Sequence, residues 1–185
     1  MALIRYLALL RGINVGGKNI IKMADLKSCF ENMDYADVST YIQSGNVLFK
    51  SDERDKTRLT NKIEQMLSAR FDYSSCIVVV TREQLKNVVE EAPEGFGIEP
   101  DKYRYDVLFV KEPLTPGEIM KNLRVRDEVD RSFAGESVLY FSRLIRRASQ
   151  SYLTKIMTLP EYKKITIRNW NTTIRLLSLT EDETV

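Results

Sequence analysis

No histidine occurs anywhere in the 185 residues, and that absence closes off more chemistry than any feature the chain possesses. Catalysis of the Ser-His-Asp and Cys-His types is excluded. A zinc site would need four ligands drawn from two cysteines and carboxylates, a poor set, so no metal site is predicted. Any proton transfer falls to Asp, Glu, Lys, Tyr or Cys. Cysteine is nearly as scarce. Cys29 lies in an apolar helical pattern and Cys76 opens the apolar run 76–80, so the two read as core thiols of a reducing compartment rather than a disulfide, and no redox motif surrounds them. Long hydrophobic runs are missing too. The N-terminal apolar stretch, with Arg5 and Arg11 around it, is too short to cross a bilayer and no cleavage pattern follows. A buried first strand is predicted there, in a cytoplasmic protein with no membrane partner. What is present suffices for a packed core: 43% of residues are hydrophobic, enough for one large domain or two small ones.

The net charge of +2 conceals an asymmetry. Between Ser142 and Arg175 stand eight basic residues against the single acid Glu161, a balance of +7 that leaves −5 for the remainder. Such a segment can attract anions, although dispersed charges at helical spacing usually only solvate helix faces. The tight group Arg143, Arg146 and Arg147 favours attraction.

Periodicity divides the chain into two similar halves. A strand over 3–10 is followed by a glycine loop, and Met23, Leu26, Phe30 and Met33 then recur at helical spacing. Two strand runs follow around Ser44-Gly45-Asn46, a hairpin signal because Gly45 and Asn46 both tolerate positive φ. A helix through Leu59, Ile63, Met66 and Leu67 and the buried strand run 76–80 complete the order βαββαβ, the ferredoxin-like unit. From Thr81 the pattern restarts. A helix capped by Thr81 and Gln84 leads into the Gly/Pro-rich connector 93–100, and a strand over 105–110 follows. The capping box Thr115-Pro116-Gly117-Glu118 starts the next helix. A hairpin over 129–141, a helix carrying Leu153, Ile156 and Met157, a strand near Ile165 and a final helix through Trp170, Ile174 and Leu177 finish the chain. The predicted fold class is α+β: two ferredoxin-like βαββαβ units with antiparallel sheets, residues 1–80 and 81–185, with extra helices at the join and the C-terminus.

Three polar stretches exceed what packing requires. Arg11 to Asn19 nearly spells a phosphate-binding loop, yet Asn19 stands where Ser or Thr must hold magnesium, and Ile20-Ile21-Lys22 delays the helix. The alternatives are a tight connection or a simpler anion cradle, in which backbone N–H groups around Gly16-Gly17 act with Lys18 and Arg11. Tyr41 to Asn46 is a turn that alternation makes rich in hydrogen-bonding groups. In Arg168-Asn169-Trp170-Asn171-Thr172, either Asn169 or Asn171 can cap the last helix.

Taken together, the stretches 9–19, 40–49 and 168–172 resemble the bacterial domain-of-unknown-function family 1697. The resemblance spans nearly the whole chain and implies a pair of ferredoxin-like units. One departure is Ile167, where the family pattern usually reads Thr, which weakens any role for a hydroxyl there. No reaction, cofactor or partner comes with the resemblance.

Two functional classes follow. The favoured one is a site for a small phosphorylated or carboxylated ligand, in a cleft where the three stretches converge. Arg11, Lys18 and Arg168 would hold the anion, Asn14, Gln43, Asn46 and Asn169 would orient it, and Tyr41 or Ser44 could serve chemistry. The other is RNA or single-stranded DNA binding through the basic C-terminal segment, although the aromatic strand signature of RNA-recognition modules is missing. Homodimerisation through a sheet is the fallback. Whether any bond is made or broken, and with what cofactor, is not written in the residues.

Overall fold

A computed structural model describes residues 2–181. The chain forms two compact units, one containing the residues up to Leu85 together with the last helix from Ser178 on, the other Lys86–Leu177.

In the first unit β1 (Ile4–Leu10) leads to α1 (Met23–Glu31), β2 (Ala36–Tyr41), β3 (Asn46–Ser51), α2 (Lys56–Phe71) and β4 (Ile77–Thr81), after which α3 (Arg82–Glu90) begins. The sheet is antiparallel in the order β2-β3-β1-β4, with Ala8 paired to Val47 on one side and Val79 on the other. Alternation sends Tyr6, Ala8 and Leu10 of β1 into one core with Val47 and Phe49 of β3. Against them lie Leu26 and Phe30 of α1 and Leu59, Ile63 and Leu67 of α2, side chains that helical spacing marked out, whereas Met66, marked with them, is 39% exposed. Each such burial contributes about 1.5–3 kcal/mol. Asp55 starts α2 by accepting the Thr57 and Arg58 amides. Cys29 is buried and Cys76 half-buried, both as free thiols.

The second unit repeats the strand arrangement with β5 (Tyr103–Val110), α4 (Pro116–Asn122), β6 (Asp130–Ala134), β7 (Val138–Leu144) and β8 (Ile165–Asn169), without an α-helix between β7 and β8, and α5 (Trp170–Glu181) is the last element of the described residues. Its sheet, β6-β7-β5-β8, is the topological copy of the first. Both are the predicted ferredoxin-like arrangement. The capping boxes form as expected: Thr115 Oγ1 accepts the Glu118 amide while Glu118 accepts that of Thr115, and Thr81 and Gln84 do the same for α3.

Three expectations need correction. The helix predicted through Leu153, Ile156 and Met157 is instead a series of 3-10 turns, Ile145–Gln150, Leu153–Thr158 and Pro160–Lys164. Local bonds compete with a continuous helix there: Ser151 Oγ accepts the Leu153 amide, Asp130 Oδ2 accepts that of Tyr152, and Pro160 has no amide to give. Leu153 and Ile156 still reach the core beside Ile119, Leu108 and Phe141, whereas Met157 is exposed. Ile174 is likewise 43% exposed, and α5 buries Thr172, Thr173 and Leu176 instead. At the first hairpin the positive φ falls on Ile42 and Gly45, not on Asn46, because the loop occupies residues 42–45 and Asn46 is already the first residue of β3.

Candidate functional site

The glycine loop and the first hairpin tip meet in the first unit. Gly16 and Gly17, both at positive φ, form a two-residue turn closed by the Lys18 amide on the Val15 carbonyl at 3.1 Å. Asn14 clamps this small hairpin to its surroundings. Its Oδ1 accepts the Ile21 amide at 2.8 Å, while its Nδ2 donates to the Ile21 carbonyl at 3.0 Å and the Gln43 carbonyl at 2.9 Å. Leu10 N donates to Gly45 O at 2.8 Å, and Gly45 is pressed so close that a Cβ there would lie 2.7 Å from Ile13 Cδ1. Asn46 is buried, with Nδ2 donating to the Tyr41 carbonyl at 2.9 Å and to Ser44 Oγ at 3.0 Å.

The structure therefore brings Asn14, Gln43, Ser44, Tyr41 and Asn46 together, and it spends the amides of Asn14 and Asn46 on backbone and hydroxyl partners. Lys18 and Gln43 are exposed, Arg11 and Tyr41 half-buried. Helix α1 starts at Met23, well past Lys18, so no helix N-terminus backs the loop as a phosphate-binding loop requires.

Arg168 and Asn169 end β8. Arg168 is 6% exposed, and Nη1 donates to Thr166 Oγ1 at 3.0 Å and the Ile167 carbonyl at 2.9 Å. Burial pulls its guanidinium pKa down to about 10. Asn169 caps α5, its Oδ1 accepting the Thr172 amide at 2.7 Å.

Beyond Asn169 the edge of β5 has no partner from β8, since the pairing ends at Asp106↔Asn169. A hollow of about 230 Å³ opens there, walled by Arg104, Asp106 and Arg143 of the sheet, Tyr103, Tyr105, Asn169, Trp170 and Asn171, and the connector at Gly97 and Pro100. Arg143 Nη2 stands 3.6 Å from Asp106 Oδ2, an ion pair too long for a hydrogen bond. Asp106 Oδ2 and Arg143 Nε are both buried without a hydrogen-bond partner. Desolvation raises the Asp106 pKa, with Arg143 and Arg104 opposing it. Sequence reading missed Asp106 and Arg104. The signal was present in a single carboxylate interrupting the apolar strand YRYDVLFV.

A wider hollow of about 400 Å³ in the first unit is walled by Asp34, Asp52 and Glu53 along with Arg58 and Lys62, so its charges leave no positive excess for an anion.

The Asp106 shift has a measurable consequence. A carboxyl whose pKa is raised on folding contributes stability that is complete below its unfolded value of 3.8 and is lost as pH rises through the folded value. Asp106→Asn mimics the protonated form at every pH. In calorimetric melts its Tm should match the parent near pH 3 and rise above it toward pH 7. A difference that is constant or reversed with pH would show that Arg143 outweighs burial.

Compared with known proteins, residues 3–140 match the model of the family described as protein of unknown function (DUF1697). Comparison with curated proteins finds no match. Among solved structures, the conserved bacterial protein SP0830 from Streptococcus pneumoniae is 27% identical with a TM-score of 0.86, the match covering 98% of this chain and 100% of that one.

Proposed function

The chain belongs to the DUF1697 family, whose function is unknown, and we propose that it binds a small phosphorylated or carboxylated molecule in the hollow at the free end of β5. The supporting observation is its charge: two guanidiniums, Arg104 and Arg143, face one carboxylate, Asp106, whose ionised form burial disfavours. A phosphate or carboxylate between the guanidiniums would form charge-assisted hydrogen bonds of about 1.5–3 kcal/mol each. Asn169 and Asn171 supply neutral polar side chains in the same hollow. Of the residues marked in the sequence, Asn169 belongs to this hollow, while Arg11 and Lys18 are cations of the first unit open to the same test.

Nucleic-acid binding through the basic segment has less support. Arg147 pairs with Glu128 at 3.5 Å and Arg168 is buried, so two of its basic residues are not offered to a phosphate backbone.

A thermal-shift screen of sugar phosphates, carboxylates and short oligonucleotides tests both readings. A small anion at a hundred times its Kd should add about 2.7 kcal/mol, raising Tm by roughly 5–10 °C. Arg104 is exposed, so Arg104→Ala should abolish the shift and leave the free protein's Tm unchanged. A shift that survives Arg104→Ala, or one produced by oligonucleotides alone, would refute the anion site.

A further inference from the structure

We infer that the molecule bound in the hollow at the end of β5 is an acidic amino acid, with its carboxylates on Arg104 and Arg143 and its ammonium on Asp106. This names the ligand class of the anion site above and rests on that reading.

Strand register assembles the three side chains. Arg104 of β5 stands directly across from Arg143 of β7, and Asp106, two residues along, shares their face. Like charges directly opposite one another on neighbouring strands are destabilising, so the arginine pair is unfavourable in the free protein. On its other side Arg143 has Asp130 of β6 as its partner on the rung. That carboxylate is committed elsewhere. Its Oδ2 accepts the Arg126 amide at 3.0 Å and the Tyr152 amide at 2.8 Å, and the residue is not among the walls of the hollow. The hollow itself is left with two positive charges and one negative.

The carboxylate is the informative member. In a site that takes only an anion Asp106 would repel the ligand, and its Oδ2 is buried with no hydrogen-bond donor. Arg143, its ion-pair partner, stops at 3.6 Å and leaves its own buried Nε unpaired. A ligand ammonium supplies the missing donor, and the broad χ2 torsion of Asp lets either oxygen turn toward it. Burial disfavours the charge in the free protein, so Asp106 is kept there against folding stability, as binding-site residues are where function requires it. Charge and size then set the ligand class. Two carboxylates and one ammonium, the state of aspartate or glutamate at neutral pH, complement two guanidiniums and one carboxylate. At about 230 Å³ the hollow is smaller than the roughly 300 Å³ at which sites for drug-sized molecules begin, which calls for a compact ligand.

Isothermal titration of the full chain at pH 7 compares L-glutamate and L-aspartate with glutarate and succinate, the same carbon chains without the amine. At least one amino acid should bind about tenfold more tightly than its amine-free counterpart, the factor expected of one charge-assisted hydrogen bond. Asp106→Asn should remove that preference, weakening the amino acid and strengthening the dicarboxylate, while Arg104→Ala should weaken both. Equal binding of each amino acid and its counterpart, or a preference that survives Asp106→Asn, would overturn the ammonium site and leave the anion reading standing. Affinities untouched by Arg104→Ala would place the binding elsewhere and refute both. No binding by any of the four would overturn the amino-acid inference, and the anion reading falls with it only if the phosphates of the thermal-shift screen also give no shift.

Discussion

Phe49→Ala should cost about 3–5 kcal/mol, a large part of the roughly 5–15 kcal/mol that stabilises a typical domain. Phe49 is 1% exposed and stands at the centre of the first unit's aromatic group, 5.7 Å from Tyr6, 5.3 Å from Phe30 and 4.7 Å from Tyr35. Its removal takes away the transfer energy of the ring and leaves a cavity that three other rings cannot fill without abandoning their own packing. The ring contacts add roughly 0.5–1.5 kcal/mol each beyond burial, which places the expectation toward the upper end. Tm should fall by roughly 10 °C, and urea unfolding should show a lower midpoint with an unchanged m-value. A loss below about 1.5 kcal/mol would mean that the core collapses around the gap more readily than close packing allows.

Gly97→Ala is expected to lower stability by about 3 kcal/mol and to displace the single tryptophan. An added Cβ would lie 2.3 Å from Trp170 Nε1 and 2.5 Å from its Cδ1, and the backbone φ of +89° is one that an L side chain rarely adopts. Strain and overpacking at such a position each cost about 1–3 kcal/mol. The ring has little room to retreat, because Phe96 holds it edge-on at 5.2 Å. The indole should therefore leave its place on the connector, with a red shift in fluorescence emission and a Tm lower by roughly 6–12 °C. Since Gly97 and Trp170 both wall the proposed anion hollow, ligand-induced shifts should fall as well. Unchanged emission together with an unchanged Tm would show that the connector yields and that Gly97 is only a turn residue.

Features that the residues disclosed unaided are those whose physics is local. Helical spacing identified Leu26, Phe30, Leu59 and Ile63 as core, and the capping box at Thr115 and Glu118 was readable because both partners sit within four residues. The polar excess in the glycine loop was also visible, but its use was not. Asn14 spends its carboxamide on Ile21 and Gln43, and nothing in the spacing from 14 to 43 says that those groups meet. The same limit hid the strain at Ile42, whose positive φ follows from where β3 takes up its pairing and not from its own preference.

Periodicity and composition were enough for the two four-stranded units and for the exclusion of histidine chemistry, since both survive without coordinates. That Asp106, Arg104 and Arg143 share one wall, and that 145–164 folds as 3-10 turns, became visible only in the folded chain. Strand register and side-chain competition for backbone amides are set by partners distant in sequence, so a site built on the pairing of β5 with β7 becomes legible only when the sheet exists.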